Sequence, residues 1–346
     1  MLNQQLKNGR QWFLLAGICV GLFVGGCENS NSVADREDLP QVVSTSTIIG
    51  DLTQQIGGDE IEHKGILKPG ADPHVYEPTP QDSVALEKAD LILYNGFNLE
   101  PGIIKMIDST GVKANKFAVG EVVDPLDFEY QGQKEPDPHV WGNAKNAIAM
   151  TEAIRDRLIE LSPEDEAEFI LNADELIQEL RKIDSWITKQ IQTIPADRRK
   201  LVTTHDAFQY YTNAYGLEMA GTLIGISTEE QPSAQTVKNL ANSIRQMKIP
   251  AIFAETTINP QLIKTVAEEA GVKLAPQELY SDSIGAPGSS GDSYLKMLEA
   301  NTKSIVESLG GKFKPLDNVS SELEVRAGQR SLMRSGEAVR WRGSSA

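Results

Sequence analysis

The sequence predicts an α/β fold of two lobes, each with a parallel sheet flanked by helices, joined by one long rigid helix. Short β-branched runs alternate with helical patterns in both halves of the chain. Between the halves, residues 164–194 contain no glycine or proline, and apolar residues recur there at alternating steps of three and four. That spacing is typical of an amphipathic helix with one apolar face.

The first half begins at Val42 with the β-branched run VVSTS, which predicts a strand. A helical pattern, IIGDLTQQIGG, follows and ends at a pair of glycines. Residues 61–67 then predict a second strand, SVALEKA a short helix, and LILY a buried strand. Strands and helices that alternate at this spacing indicate a parallel sheet.

The long helix is predicted from Ser162, a suitable N-cap, with Pro163 at the first helical position and Asp165 three residues after the cap. Pro195 ends it. About 32 residues would span about 48 Å at 1.5 Å per residue. A coiled-coil arm is the alternative, but α/β patterns on both sides favour a strut between two lobes.

The second half repeats the alternation. KLVTTHDAF and IPAIFAE contain strands, QTVKNLANSIRQ is a helix, and SYLKMLEANTKSIVESLGG is a closing helix. The segment INPQLIKTVAEEAG predicts a helix capped by Asn259, with Pro260 in its first turn and Gly271 beyond its end. We therefore assign residues 42–160 to the N-terminal lobe, 161–196 to the linking helix and 197–311 to the C-terminal lobe.

Residues 1–26 have the pattern of a signal peptide. Lys7 and Arg10 are basic, and the apolar stretch at 12–24 is too short to span a bilayer comfortably. Small residues directly precede Cys27, which resembles a bacterial lipobox and predicts cleavage and acylation at that cysteine. An uncleaved N-terminal anchor is the alternative. Residues 27–41 would be a lipidated tether, so the domain is expected to be exported and lipid-anchored at the outer face of the cytoplasmic membrane, or periplasmic.

Composition limits the function further. The two cysteines, Cys19 and Cys27, leave none for the folded domain, so it must rely on its core and not on disulfides. A net charge of −16 argues against nucleic-acid binding, which needs Lys and Arg to displace counterions. Residues 312–346 form an Arg-rich tail that we expect to be mostly disordered, and we expect the protein to be a monomer.

The tetrapeptide DPHV occurs twice, at residues 72–75 and 137–140, in a chain with only four histidines. In both copies proline fixes its own φ and holds the preceding aspartate extended. A rigid backbone of this kind can aim an imidazole at a fixed point. His74 and His139 are both predicted in loops beyond strand ends, where parallel sheets place their ligand sites.

His205 follows the predicted strand LVTT in the second half, whereas His63 lies inside a predicted strand and is interpreted as structural. Three histidines at loop edges of two lobes indicate a metal site. The second lobe should supply another ligand, and the residues alone leave Asp282 and Glu255 as rivals. The next candidate ligands are Glu77 and Asp206, but each suits the role of a helix cap equally well.

The motifs GADPHVYEPTPQD, PDPHVW, HDAFQYYTNAYGL, FAETTINP and ELYSDSIG occur in that order. With them the chain, from about residue 42 to 311, resembles the metal-binding lipoproteins of manganese and zinc ABC importers, which include treponemal and pneumococcal surface antigens. The resemblance implies two lobes that clamp one divalent ion, with four ligands: His74, His139, His205 and Asp282. It makes Glu255 a nearby supporting carboxylate. Gly142-Asn143 departs from the family pattern and is expected to loosen the loop of His139.

By this resemblance the protein is not an enzyme but the binding subunit of an importer, with an ABC permease and, through it, a cytoplasmic ATPase as partners. The cargo is expected to be Mn²⁺ or Zn²⁺. Three imidazoles and one carboxylate suit zinc, whereas the lack of a His-rich acidic loop between His74 and His139 favours manganese, which we place narrowly ahead. Titration of histidines near pH 6.5 predicts weaker binding in acid.

Two other functions remain open at this point. A zinc-dependent hydrolase could use the same ligands if water kept one position, although no HExxH motif occurs and four protein ligands close a site. An adhesin or interaction protein could carry the metal as a structural element. Removal of the metal should unfold such a protein and leave an importer subunit folded.

Overall fold

A computed structural model of the chain describes residues 39–109, 113–130 and 133–316. The predicted signal peptide, Cys27, most of the tether and residues 317–346 of the tail lie outside these ranges. Within them, no helix is both long enough and apolar enough to cross a bilayer.

The first half is built on a four-stranded parallel sheet in the order β2-β1-β3-β4. Its strands are β1 (Gln41–Ser44), β2 (Glu62–Gly65), β3 (Leu91–Tyr94) and β4 (Asn115–Ala118). The helices are α1 (Thr47–Gly57), α2 (Pro80–Lys88) and α3 (Pro101–Ser109). Val42 and Val43 belong to different apolar clusters, because successive strand residues point to opposite faces of the sheet. The sheet is therefore covered on both sides, as parallel sheets require.

An antiparallel hairpin, β5 (Asp127–Tyr130) and β6 (Gln133–Pro136), leads to α4 (Ala144–Leu161). The long helix α5 (Glu166–Ile191) follows and has 26 residues, which makes it about 39 Å long. It is shorter than predicted because Pro163–Asp165 forms a separate 3-10 turn and because the helix ends at Ile191, before it reaches Pro195. Ser162 does not cap the helix, since its hydroxyl donates to the side chain of Asp165 at 2.7 Å.

The second half contains β7 (Lys200–Thr203), α6 (Gln209–Tyr215), β8 (Glu218–Thr222), α7 (Ala234–Met247), β9 (Ala251–Ile252), α8 (Gln261–Ala270), β10 (Lys273–Leu274) and α9 (Tyr294–Ser308). Strands β7 and β8 pair in parallel, as do β9 and β10. A hydrogen bond of 3.0 Å from the Phe253 amide to the Val202 carbonyl joins the two pairs. The N-cap of α8 is Pro260 and not the predicted Asn259, although the Asn259 side chain accepts the Gln261 amide at 3.0 Å.

Helix α5 packs against α1 and α4 of the first half and against α9 of the second. One continuous apolar core runs between the halves, with members in each of these helices, among them Ile48, Met150, Leu180 and Leu298. This arrangement confirms the predicted fold class. Residues 312–316, assigned above to the tail, lie against α5, where the Trp186 indole donates to the Lys314 carbonyl at 3.0 Å.

Candidate metal centre

Four side chains from separate loops converge at the ends of the strands. His74 lies in the loop after β2, and His139 directly precedes the short 3-10 turn Val140–Gly142 that leads into α4. His205 follows β7, and Asp282 follows a parallel bridge between Glu255 and Leu279. All four are buried, with exposed fractions of 4, 0, 0 and 1% in chain order. The structure thus brings together the four residues that the sequence and the resemblance selected.

Their ligand atoms all lie within 4.8 Å of one another. Nε2 of His74 is 3.2 Å from Nε2 of His139, which is 3.5 Å from Oδ1 of Asp282. Oδ2 of Asp282 is 3.2 Å from Nε2 of His205. Ligands bound tetrahedrally at about 2.0–2.1 Å would lie about 3.4 Å from one another. These separations fit a single small cation.

Several polar atoms in this cluster have no hydrogen-bond partner among the described residues. Both carboxylate oxygens of Asp282 and Nε2 of His205 are buried and unsatisfied. Buried polar groups in native proteins nearly always have a partner, because an unpaired one is costly. The carboxylate oxygens of Asp282 are therefore acceptors that a cation would satisfy.

The repeated DPHV tetrapeptide has a structural reason. In each copy the aspartate accepts the backbone amide of the histidine two residues later, Asp72 from His74 and Asp137 from His139, both at 2.9 Å. The proline between them restricts the backbone. The motif is a short turn that fixes its own histidine, and the protein uses it twice.

Two of the three imidazoles are also oriented by carboxylates. Oδ1 of Asp137 lies 2.8 Å from Nδ1 of His139. Glu255 accepts the backbone amide of His205 at 2.9 Å and hydrogen-bonds to its Nδ1. Glu255 thus lies behind His205 and outside the group of four, in agreement with the supporting position implied by the resemblance. His74 has no such partner for Nδ1 in the part of the chain that the structure describes.

These surroundings shift the pKa values of His74 and His205 in opposite directions. Burial lowers the pKa of His74 to about 3, so its imidazole is neutral at ordinary pH. Burial acts on His205 in the same direction, but the carboxylates of Glu255 and Asp282 outweigh it and raise its pKa well above the usual value. Burial would raise the pKa of Asp282, yet His205 beside it lowers that pKa far enough to keep the carboxylate ionised.

The other candidates lie elsewhere. Nε2 of His63 is 2.8 Å from the Ser44 hydroxyl, and burial lowers its pKa to about 4, consistent with a structural role. Glu77 is exposed, and Asp206 accepts the Gln209 amide group at 2.9 Å. Among the described residues, the cluster of four is the one group suited to hold a metal.

Gly142 does not loosen its loop, contrary to the expectation from sequence. A Cβ at this position would lie 3.1 Å from the Tyr211 amide nitrogen, so glycine permits a close approach of the two halves. Asn143 caps α4 by accepting the Lys145 amide at 3.0 Å. The departure from the family pattern therefore leaves His139 firmly held.

Two supporting residues had no recognisable signal in the sequence. The Asn95 side chain donates to the Pro138 carbonyl at 2.9 Å and fixes the loop of His139 from the end of β3. The Trp141 indole donates to the Ser281 carbonyl at 2.9 Å and joins the loop of His139 to that of Asp282. Both contacts link positions far apart in the chain, so no local pattern could have revealed them.

Comparison with known proteins shows the family of the chain. A family model described as ZnuA, zinc-uptake complex component A periplasmic, matches residues 42–308. The chain belongs to this family. Curated relatives of the chain are substrate-binding lipoproteins of metal ABC transporters and not enzymes. This confirms that the protein is not an enzyme.

ZnuA-family relatives match along most of the chain. The metal ABC transporter substrate-binding lipoprotein SsaB of Streptococcus sanguinis is 33% identical over 88% of this chain and 99% of its own. The manganese ABC transporter substrate-binding lipoprotein PsaA of Streptococcus pneumoniae is 36% identical over 78% of this chain and 89% of its own. The periplasmic zinc-binding protein TroA from Treponema pallidum superposes with a TM-score of 0.75 at 35% identity, covering 79% of this chain and 99% of TroA.

Proposed function

We propose that the protein captures Mn²⁺ or Zn²⁺ outside the cytoplasm with four ligands, His74, His139, His205 and Asp282, and delivers the ion to an ABC permease driven by a cytoplasmic ATPase. The observation that carries this proposal is the buried convergence of four candidate ligands, two of which, His205 at Nε2 and Asp282 at both carboxylate oxygens, have no hydrogen-bond partner there among the described residues. Membership of the family supports the transport role.

The charge of the site suits a divalent cargo. Three neutral imidazoles and one carboxylate leave a dication with a net charge of +1. The carboxylates of Asp137 and Glu255, hydrogen-bonded to the far sides of two imidazoles, offset this charge and orient the rings. Carboxylates in this position raise the basicity of the ligand and fix its tautomer.

We place Mn²⁺ as the cargo and Zn²⁺ as a competitor at the same site. Relatives named as manganese transporter lipoproteins support manganese, and the segment between His74 and His139 contains no further histidine. The nitrogen-rich ligand set suits zinc, which binds more tightly than manganese in the Irving–Williams order. Zinc should therefore displace manganese at equilibrium, and the supply of each ion decides which is carried.

We propose lipidation at Cys27, which is supported by the relatives named as lipoproteins. Several acyl chains on one cysteine suffice for stable anchoring. Residues 42–160 and 197–311 would act as lobes about the linking segment 161–196. Because they share a continuous core, we infer that release takes local loop motion and a small adjustment of the lobes, without wide closure.

Metal analysis of the full chain, purified without added metal and then titrated with Mn²⁺ or Zn²⁺, tests the proposal. We expect one ion per chain, displacement of bound Mn²⁺ by Zn²⁺, and loss of both in Asp282→Ala. The exposed-carboxylate variant Asp127→Ala is the matched control and should bind normally. Stoichiometric binding that survives in Asp282→Ala would contradict the proposed site.

A further inference from the structure

Two hydrogen bonds tie the loop that carries His74 to the opposite half of the protein. The Gly70 amide donates to the Ser283 hydroxyl at 2.8 Å, next to Asp282. The Thr228 hydroxyl donates to Oδ2 of Asp72 at 2.7 Å. The bond to Ser283 therefore joins the His74 loop to the loop of Asp282, and the bond from Thr228 joins it to a loop that follows β8.

The loop of Thr228 is itself attached to the turn of His205. The Asp206 amide donates to the Gly225 carbonyl at 3.2 Å, and the Thr204 carbonyl accepts the amides of Leu223 and Ile224 at 3.0 and 2.9 Å. The bond between Thr228 and Asp72 therefore connects the loops of two candidate ligands that come from different halves of the chain.

The two DPHV copies use their aspartates differently. Asp137 directs one oxygen to both the amide and Nδ1 of His139, so it orients the ring. Asp72 holds the His74 amide with one oxygen and Thr228 with the other. Since Nδ1 of His74 has no partner in the described ranges, the position of this ring depends on its loop.

Exposure distinguishes the two loops as well. Residues 137–141 are all buried, and their neighbours belong to the continuous core. Residues 68–70 are exposed, and so are Val75 and Glu77 on the other side of His74. Segments with few buried apolar contacts open at lower free energy than core segments. The His74 loop is thus the part of the site that can move while the other three ligands stay in place.

We propose that the hydrogen bond between Thr228 and Asp72 is a latch that keeps the His74 loop closed and sets the rate at which the metal leaves. This inference rests on the proposed function. Thr228 is a positioning residue, since it acts on the ligand through Asp72 and its loop. Opening the latch frees His74 first, and the ion is left with ligands that remain held by the core and by carboxylates.

The test compares Thr228→Val, which removes the hydroxyl at nearly constant volume, with Thr228→Ser, which keeps it. The Mn²⁺-loaded full chain is mixed with an excess of a chromophoric chelator, and the release rate is followed. Loss of a hydrogen bond of this kind should raise the release rate about threefold to tenfold in Thr228→Val. Thr228→Ser should release at close to the wild-type rate. Hydrogen exchange of residues 68–79 should be faster in Thr228→Val alone.

Thr265→Val is the matched control, because the hydroxyl of this half-buried helical threonine donates to the Gln261 carbonyl within α8 and has no other partner among the described residues. An unchanged release rate in Thr228→Val, or equal acceleration in Thr228→Ser, would overturn the latch. If the wild-type chain bound neither Mn²⁺ nor Zn²⁺, the proposed function itself would fail. The two failures are therefore distinguished by the wild-type titration.

Discussion

Oδ1 of Asp137 accepts two hydrogen bonds from the same residue, the backbone amide and Nδ1 of His139, at 2.9 and 2.8 Å. With Nδ1 bonded in this way, the lone pair of Nε2 points to the centre of the site. Asp137 thus selects the tautomer that can bind a metal. The Asp137 carboxylate therefore fixes both the turn of this DPHV copy and the orientation of the His139 ring.

Asp137→Asn should keep the turn, because its side-chain carbonyl can still accept the backbone amide, but it removes the negative charge behind the imidazole. We expect metal affinity to fall about 10- to 100-fold. Competition against a chelator of known affinity measures this. Asp127→Asn, in an exposed hairpin, controls for loss of one negative charge, and an equal loss of affinity in both variants would argue against the orienting role.

His205→Ala should weaken binding more than any supporting variant, by at least about 100-fold, since it removes a ligand together with the partner of two carboxylates. His63→Ala should bind metal like the wild type, because His63 lies outside the cluster and contacts Ser44. Isothermal titration of both variants with Mn²⁺ provides the comparison. A strong effect of His63→Ala would mean that the ligand set is wrong.

Metal binding should release a proton and strengthen as the pH rises. Without metal, the carboxylates of Glu255 and Asp282 hold the His205 pKa well above its usual value, against the opposing effect of burial, so this imidazole binds its proton more tightly than a free histidine does. A metal at Nε2 displaces that proton, and affinity should increase about tenfold per pH unit below that pKa. His74, with a pKa of about 3, contributes nothing between pH 5 and 8. Calorimetry in two buffers of different ionisation enthalpy should report about one proton released at pH 7, and buffer-independent heats would refute this account.

Removal of the metal should leave the protein folded, because its core is continuous and extends far beyond the site. Circular dichroism of chelator-treated protein should show one cooperative thermal transition. Added ion at about 100 times its dissociation constant should stabilise the fold by about 2.7 kcal/mol. Unfolding on treatment with chelator would instead indicate a structural metal.

Glu100 provides a test of stability that does not involve the metal. This carboxyl is buried, and burial raises its pKa to about 7 even though Thr45 and the Asn95 amide hydrogen-bond to it. The folded state therefore binds this proton more tightly than the unfolded state, so the stabilisation present below about pH 4.5 is lost as the pH rises to 7. The loss is about 3 kcal/mol. The free energy of unfolding of the metal-free protein, measured with urea, should fall less between pH 5 and 8 in Glu100→Gln than in the wild type. The exposed-site variant Glu129→Gln should match the wild type.

The sequence by itself determined the alternation of strands and helices, the long amphipathic segment and three of the four candidate ligands. These features are local. A period of 3.6 residues, a β-branched run or a histidine after proline needs only a few neighbours to be recognised. The extent of the long helix was predicted less well, because Pro163 supports either a first helical turn or a separate 3-10 turn. In the structure the separate 3-10 turn forms, and the Ser162 hydroxyl donates to the Asp165 side chain across it.

The tertiary structure alone decided between Asp282 and Glu255 on physical grounds. Both carboxylates follow strand-like segments in the second half, so no local pattern separates them. In the fold, Glu255 accepts the amide of His205 and bonds to its Nδ1, whereas neither oxygen of Asp282, at the centre of the site, has a hydrogen-bond partner in the part of the chain that the structure describes. The bonds from Asn95 and Thr228 were equally invisible in the sequence, because they join residues that only folding brings together.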